Sequence, residues 1–218
     1  MKLYSMPHSP FAARVRIQIY HKDLPVEISV PPGFGEPGYK ELNPTGKVPA
    51  LDTGEMIIPE STVILRYLEE SCPEPAMLPV DAARRATVNL FLRFADVYIQ
   101  PALSPLFTEV FERSGDEAAL AAKVREVTDV LTLQNQLMNR YAWGAHASLD
   151  LADCALAPMV YYCIWLEKLF SANLRLDELE AVGDWWRRVQ QREAVASVFK
   201  EIDNGLLGMQ ERLADNGG

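Results

Sequence analysis

NPTGKVPALDTGEMIIPESTVILRYLEES, residues 43–71, carries the pattern that decides the fold. Asn43-Pro44-Thr45-Gly46 reads as a turn, since asparagine, proline and glycine each favour a backbone geometry that regular elements avoid. Val48–Asp52 and Met56–Ile58 then read as two short strands parted by Thr53-Gly54, a spacing that predicts a hairpin. From about Glu60, the residues Val63, Ile64, Tyr67 and Leu68 recur at one helical face, predicting an amphipathic helix that ends near Ser71. Upstream, Lys2–Ser5 and Pro25–Val30 read as strands. Between them, Phe11–Tyr20 carries Ala12, Val15 and Ile19 at helical spacing. The proline- and glycine-rich stretch Pro31–Gly38 reads as a loop.

The order β-α-β, loop, β-β-α is that of a thioredoxin-like domain, a mixed sheet with helices on its faces. Pro73, Pro75 and Pro79 punctuate a stiff connector after Ser71, and helical periodicity resumes near Arg84, so the reading is of two domains, 1–78 and 84–218. The second is read as an all-α bundle of about five helices. One runs through Asn89–Tyr98 with Pro101 and Pro105 expected to kink or break it, another covers Glu117–Tyr141, and short helices are expected at Asp184–Gln191 and Glu193–Glu201. Asp150-Leu-Ala-Asp153 matches a capping box at the start of a further helix, which makes Asp153 a structural acid rather than a catalytic one.

Composition removes several classes of function. With 21 lysines and arginines against 30 acids, the net charge of −9 repels nucleic-acid backbones and anionic lipid. No apolar run approaches the roughly 20 residues of a membrane span, and no signal-peptide core precedes Pro7, so a cytoplasmic protein is expected. Cys72, Cys154 and Cys163 are scattered, and His8, His21 and His146 have no metal-ligand spacing; neither a disulfide framework nor a metal site is expected. The end, Asn216-Gly217-Gly218, reads as loose.

Three stretches at element ends carry the candidate chemistry. Ser9-Pro10-Phe11 sets a hydroxyl at the start of a helix that comes after a strand, where unpaired amides and the helix dipole favour an anion. The same serine suits a plain N-cap. Val48-Pro49 opens a strand; a cis bond there would turn the Val48 main chain outward to pair with an extended peptide. Glu60-Ser61 begins a helix, its amides and hydroxyl suited to a carboxylate and Glu60 to an ammonium. All three fall on one rim of one sheet.

These motifs resemble those of the cytosolic glutathione transferases over nearly the whole chain: Ser-Pro-Phe-x-x-Arg-x-Arg, Asn-Pro-x-Gly-Lys-Val-Pro-x-Leu and Glu-Ser-x-x-Ile-x-x-Tyr-Leu. The resemblance, to a bacterial, serine-type member, implies a thioredoxin-like N-terminal domain, an all-α C-terminal domain and a homodimer that binds glutathione and a hydrophobic electrophile, in detoxification. By position it implies Ser9 as the catalytic hydroxyl, with Lys47, Val48, Pro49, Glu60 and Ser61 holding the rest of glutathione, which serves as co-substrate. Tyr4 is the rival hydroxyl, as other classes use a tyrosine at the end of the first strand. Phe11, Tyr98, Phe107 and Trp165 are candidates for the electrophile pocket.

The leading expectation is transfer of the glutathione thiolate to an electrophile. A glutathione-dependent isomerase of the maleylacetoacetate type is the near alternative, although the Ser-Ser-Cys signature of that class is replaced here by His8-Ser9-Pro10. A dehalogenase is a further one. A non-enzymatic alternative is an RNA polymerase-associated protein resembling the stringent-starvation factors, which share the Leu151–Pro158 type of run.

Overall fold

The computed structural model describes residues 1–112, 114–144, 146 and 148–215, with side chains described as far as residue 208. The Asn216-Gly217-Gly218 end lies outside the described residues. The chain forms two compact units, one of residues 1–77 together with the chain from Arg192 onward, the other of residues 78–191.

In the first unit, β1 (Lys2–Tyr4), α1 (Pro10–His21), β2 (Glu27–Ser29), α2 (Pro37–Leu42), β3 (Ala50–Asp52), β4 (Ile57–Pro59) and α3 (Ser61–Ser71) succeed one another along the chain. The strands lie in the order β2-β1-β3-β4; β1 runs parallel to β2 and antiparallel to β3, and β3 pairs antiparallel with β4. Alternation along each strand sorts the side chains into two layers. Leu3, Leu51 and Ile58 join Val15 and Ile19 of α1 and Ile64 and Leu68 of α3 in the main core, while Tyr4 and Ala50 pack with Tyr39 of α2. The structure thus bears out the mixed sheet and corrects the loop: Pro37, at the first turn of α2, closes the Pro31–Gly38 stretch and begins a short helix. Tyr39, its one buried residue, anchors that helix to the sheet.

Two features tie the unit together beyond this core. Lys22, the C-cap of α1, has a fully buried side chain whose ammonium donates to the carbonyls of Cys72, Pro73 and Pro75 at 2.8, 3.2 and 2.7 Å. Its counter-charge is the Glu69 carboxylate at 2.9 Å, whose other oxygen accepts from the Met77 amide at 2.7 Å. The second feature is the last helix, α9 (Glu193–Asp215), which packs along α1 and so belongs by its contacts to this unit, whereas the sequence groups it with the helical domain.

The second unit holds α4 (Ala82–Phe94), a π-helical turn at Ala95–Ile99, α5 (Gln100–Glu112), α6 (Glu117–Tyr141), α7 (Leu151–Leu169), a 3-10 turn (Leu176–Glu178) and α8 (Glu180–Val189). Of the kink or break expected at Pro101 and Pro105, the break does not occur: helix continues through both prolines. The wide turn supplies the reason: the Gln100 amide bonds back to Ala95, five residues away, and this widening next to Pro101 relieves the clash a proline ring makes in a regular helix. The capping box of α7 forms as read, the Asp150 carboxylate accepting from the Ala152 and Asp153 amides and the Asp153 carboxylate from the Asp150 amide.

Candidate active site

The site lies in the first unit, where the starts of α1 and α3 meet the turn before β3. Ser9 caps α1 in extended geometry, its hydroxyl accepting from the Ala12 amide at 3.2 Å, and only 9% of the residue is exposed. A serine hydroxyl has one proton and two lone pairs, so this cap occupies a lone pair and leaves the proton for donation. Capping and anion binding are therefore compatible at Ser9.

The turn 43–48 is held by Asn43, which is fully buried. Its side-chain oxygen accepts from the Thr45 amide and hydroxyl, and its Nδ2 donates to the Lys47 carbonyl at 2.8 Å. The Tyr39 hydroxyl donates to the same carbonyl at 2.9 Å, and burial raises the Tyr39 pKa. Gly46 takes φ +64° within this turn, a left-handed conformation that glycine adopts without strain. The Val48–Pro49 bond is cis.

Glu60 stands before α3 with φ 69° and ψ 113°, and its side chain does not cap the helix. A non-glycine residue there costs on the order of 1–3 kcal/mol, and such strain gathers at functional sites. The buried Ser61 Oγ lies 3.5 Å from Nη1 of Arg14. Arg14 is itself fully buried, with its guanidinium carbon 4.8 Å from the centre of the Phe11 ring. A permanent positive charge therefore sits behind two residues of the site.

Phe11, Thr45, Lys47, Val48, Pro49, Glu60 and Ser61 line one cleft. The structure thus brings together six residues singled out in the sequence, while Ser9 stands two positions before Phe11 at the same helix start. Thr45 and Arg14 were missed. Thr45 lay in plain view inside the turn motif; nothing in the spacing of Arg14 distinguishes a buried guanidinium from a solvated one. Tyr4 packs edge-to-face on Tyr39 with ring centres 6.2 Å apart, which favours a packing role. Tyr98, Phe107 and Trp165 belong to the second unit. Tyr98 is half exposed and stacks on Phe94, whereas Phe107 and Trp165 both pack on Tyr162, at 5.1 and 6.1 Å.

One histidine departs from the sequence reading. His146 Nε2 lies 2.8 Å from Asp153 and 3.4 Å from Asp150, a grouping of three metal-capable side chains. The carboxylate oxygens are already engaged: Asp153 accepts from Trp185 Nε1 at 2.7 Å and from the Asp150 amide, and Asp150 accepts from Trp143 Nε1 at 3.0 Å and from two amides. These partners fit a structural cap better than an ion site. Burial would lower the His146 pKa, but the two carboxylates outweigh it and hold it above the ordinary value; burial and the Asp153 charge push Asp150 up to about 7.

Comparison with known proteins adds an independent line. Residues 3–76 match the family described as glutathione S-transferase, N-terminal domain. A maleylpyruvate isomerase of Ralstonia sp is 34% identical over 173 residues, covering 73% of this chain and 81% of its own. Glutathione S-transferase Z1 of Arabidopsis thaliana is also 34% identical over 173 residues, covering 75% and 77%. The holo structure of a bacterial zeta-class maleylpyruvate isomerase superposes with a TM-score of 0.70 at 24% identity, over 91% of this chain and 96% of that one. No helix among the described residues is long and apolar enough to cross a membrane.

Proposed function

Because the chain belongs to the glutathione S-transferase family, we propose that it is a glutathione-dependent cis–trans isomerase of small unsaturated keto acids, with Ser9 as the hydrogen-bond donor to the glutathione sulfur. The observation that carries this reading over simple transfer is the kinship with the Ralstonia isomerase across three quarters of the chain. The cleft lined by Lys47, Val48, Pro49, Glu60 and Ser61 supports glutathione as the partner, and a homodimer of the two-unit chain belongs to the same reading.

A free thiol has a pKa near 8.5 and reacts as its anion. Lowering it by about two units requires roughly 2.7 kcal/mol of preference for the thiolate, within reach of one hydroxyl donor, the amides of the α1 start and the positive charge of Arg14. The thiolate forms a bond to the alkene carbon β to the substrate carbonyl, and the π pair moves to that carbonyl as an enolate. The former double bond is now single and rotates. The enolate pair then returns, the carbon–sulfur bond breaks, and the trans product leaves with glutathione regenerated. Ser9 donates to sulfur at the start and the end of this cycle without losing its own proton.

The test uses the full-length protein with glutathione and maleylpyruvate, monitoring substrate and free thiol together. Many turnovers with the thiol concentration unchanged are expected. Loss of one thiol per turnover with a conjugate formed would establish transfer instead, and failure to bind immobilised glutathione would remove both.

A further inference from the structure

We propose that the C-terminal helix α9, through Gly205 and Glu201, is the positioning element for Ser9; this rests on the role given to Ser9 above. In the segment between β1 and α1, the Ser5 amide bonds to the Ser29 carbonyl at 2.9 Å and the Ser9 amide to the Met6 carbonyl at 3.0 Å. Arg16 and Gly205 touch Pro7 and His8 from outside this segment. Arg16, buried on α1, donates through Nη2 to the Pro7 carbonyl at 2.6 Å and through Nη1 to Glu201 of α9 at 2.7 Å. The other oxygen of Glu201 accepts from the Tyr20 hydroxyl at 2.6 Å, and burial with this bond pushes the Tyr20 pKa up to about 12.

Gly205 supplies the second contact. A Cβ added there would lie 2.9 Å from the His8 amide nitrogen and 2.9 Å from Pro7 Cβ, closer than side chains tolerate, and the nearest atom is backbone that cannot swing away. Three residues on, Gly208 has open space around the same position. The two glycines share a helix and a propensity, so they separate the effect of the contact from the effect of the residue type. Seated on α9 and clamped by Arg16, the Pro7–His8 segment fixes where the Ser9 hydroxyl points, 196 residues away in sequence from Gly205.

The experiment compares Gly205→Ala, Gly208→Ala, Glu201→Gln and Ser9→Ala in the full chain, reading the ultraviolet absorbance of the bound glutathione thiolate against pH, with kcat and KM for glutathione. Gly205→Ala is expected to raise the thiol pKa and to lower kcat roughly ten- to a hundredfold, as misplacement by an ångström does, with KM changed far less. Gly208→Ala is expected to match the wild type. Should Gly205→Ala fail to fold, Glu201→Gln decides: it keeps the shape of the side chain, and its thiol titration is expected to shift in the same direction. A folded Gly205→Ala protein, or in its place Glu201→Gln, with wild-type titration and kcat would overturn the proposal while Ser9→Ala still shifts both. An unshifted Ser9→Ala protein would overturn this proposal together with the role of Ser9.

Discussion

Replacing Lys22 by methionine keeps the length and most of the volume of the side chain and removes only its charge and its three protons. Three carbonyls, those of Cys72, Pro73 and Pro75, then lose the Lys22 donor, and the Glu69 carboxylate, 8% exposed, loses its ion pair with Lys22. Breaking a buried ion pair from one side costs about 3–5 kcal/mol, because the surviving charge stays desolvated. For a chain of this size each kcal/mol moves the midpoint of thermal unfolding by about 2–4 °C, so Lys22→Met should lower Tm by roughly 6–20 °C. The double variant Lys22→Met, Glu69→Met should recover part of that loss, since neither charge of this pair is then left buried. Thermal unfolding monitored by circular dichroism measures all of these. A single variant within about 2 °C of the wild type would refute the reasoning, for it would mean the ammonium contributes no more than a surface pair does.

Ser9→Ala should raise the pKa of bound glutathione and reduce kcat while leaving its affinity within a few-fold, as the thiolate titration and binding isotherm would reveal; equal titrations would exclude the hydroxyl. Glu60→Gly should keep or raise Tm by removing the strained side chain at φ 69°, yet weaken glutathione binding roughly tenfold or more through loss of a charge-assisted hydrogen bond, measured by calorimetry. His146→Gln should cost about 1.5–3 kcal/mol near pH 6 through loss of the charged bond to Asp153. Since the folded pKa of His146 is raised, the stability it adds is complete below its ordinary value of 6.5 and fades as pH rises through the folded value. The raised Asp150 acts in the same sense from 3.8 up to about 7. The Tm difference between wild type and variant should therefore close on the alkaline side; a constant difference across neutrality would contradict the assignment.

The sheet, α1, α3 and the capping box of α7 were readable because each leaves a local trace: alternation in strands, a stripe at 3.6-residue spacing, or an acid pair three apart. The turn 43–48 was readable for the same reason, its asparagine, proline and glycine each having a distinct backbone preference. What escaped depends on partners distant in the chain. Helix α2 buries Tyr39 alone, so it has no periodicity to detect. Arg14, Lys22 and Arg16 look like solvated cations in sequence, and only the tertiary fold surrounds them with Ser61, with three carbonyls and with Glu201. His146 gave no sign of pairing because its partners come four and seven residues later, a spacing with no metal-site signature before the capping box.

The return of α9 to the N-terminal unit bears on when the support proposed for Ser9 can form. As the chain is synthesised, the sheet, the cleft lining and Ser9 all emerge within the first third, but the seat for Pro7 and His8 arrives only with residue 205. On the proposal that α9 positions Ser9, a product truncated before residue 205 would carry every residue of the cleft and still lack that support.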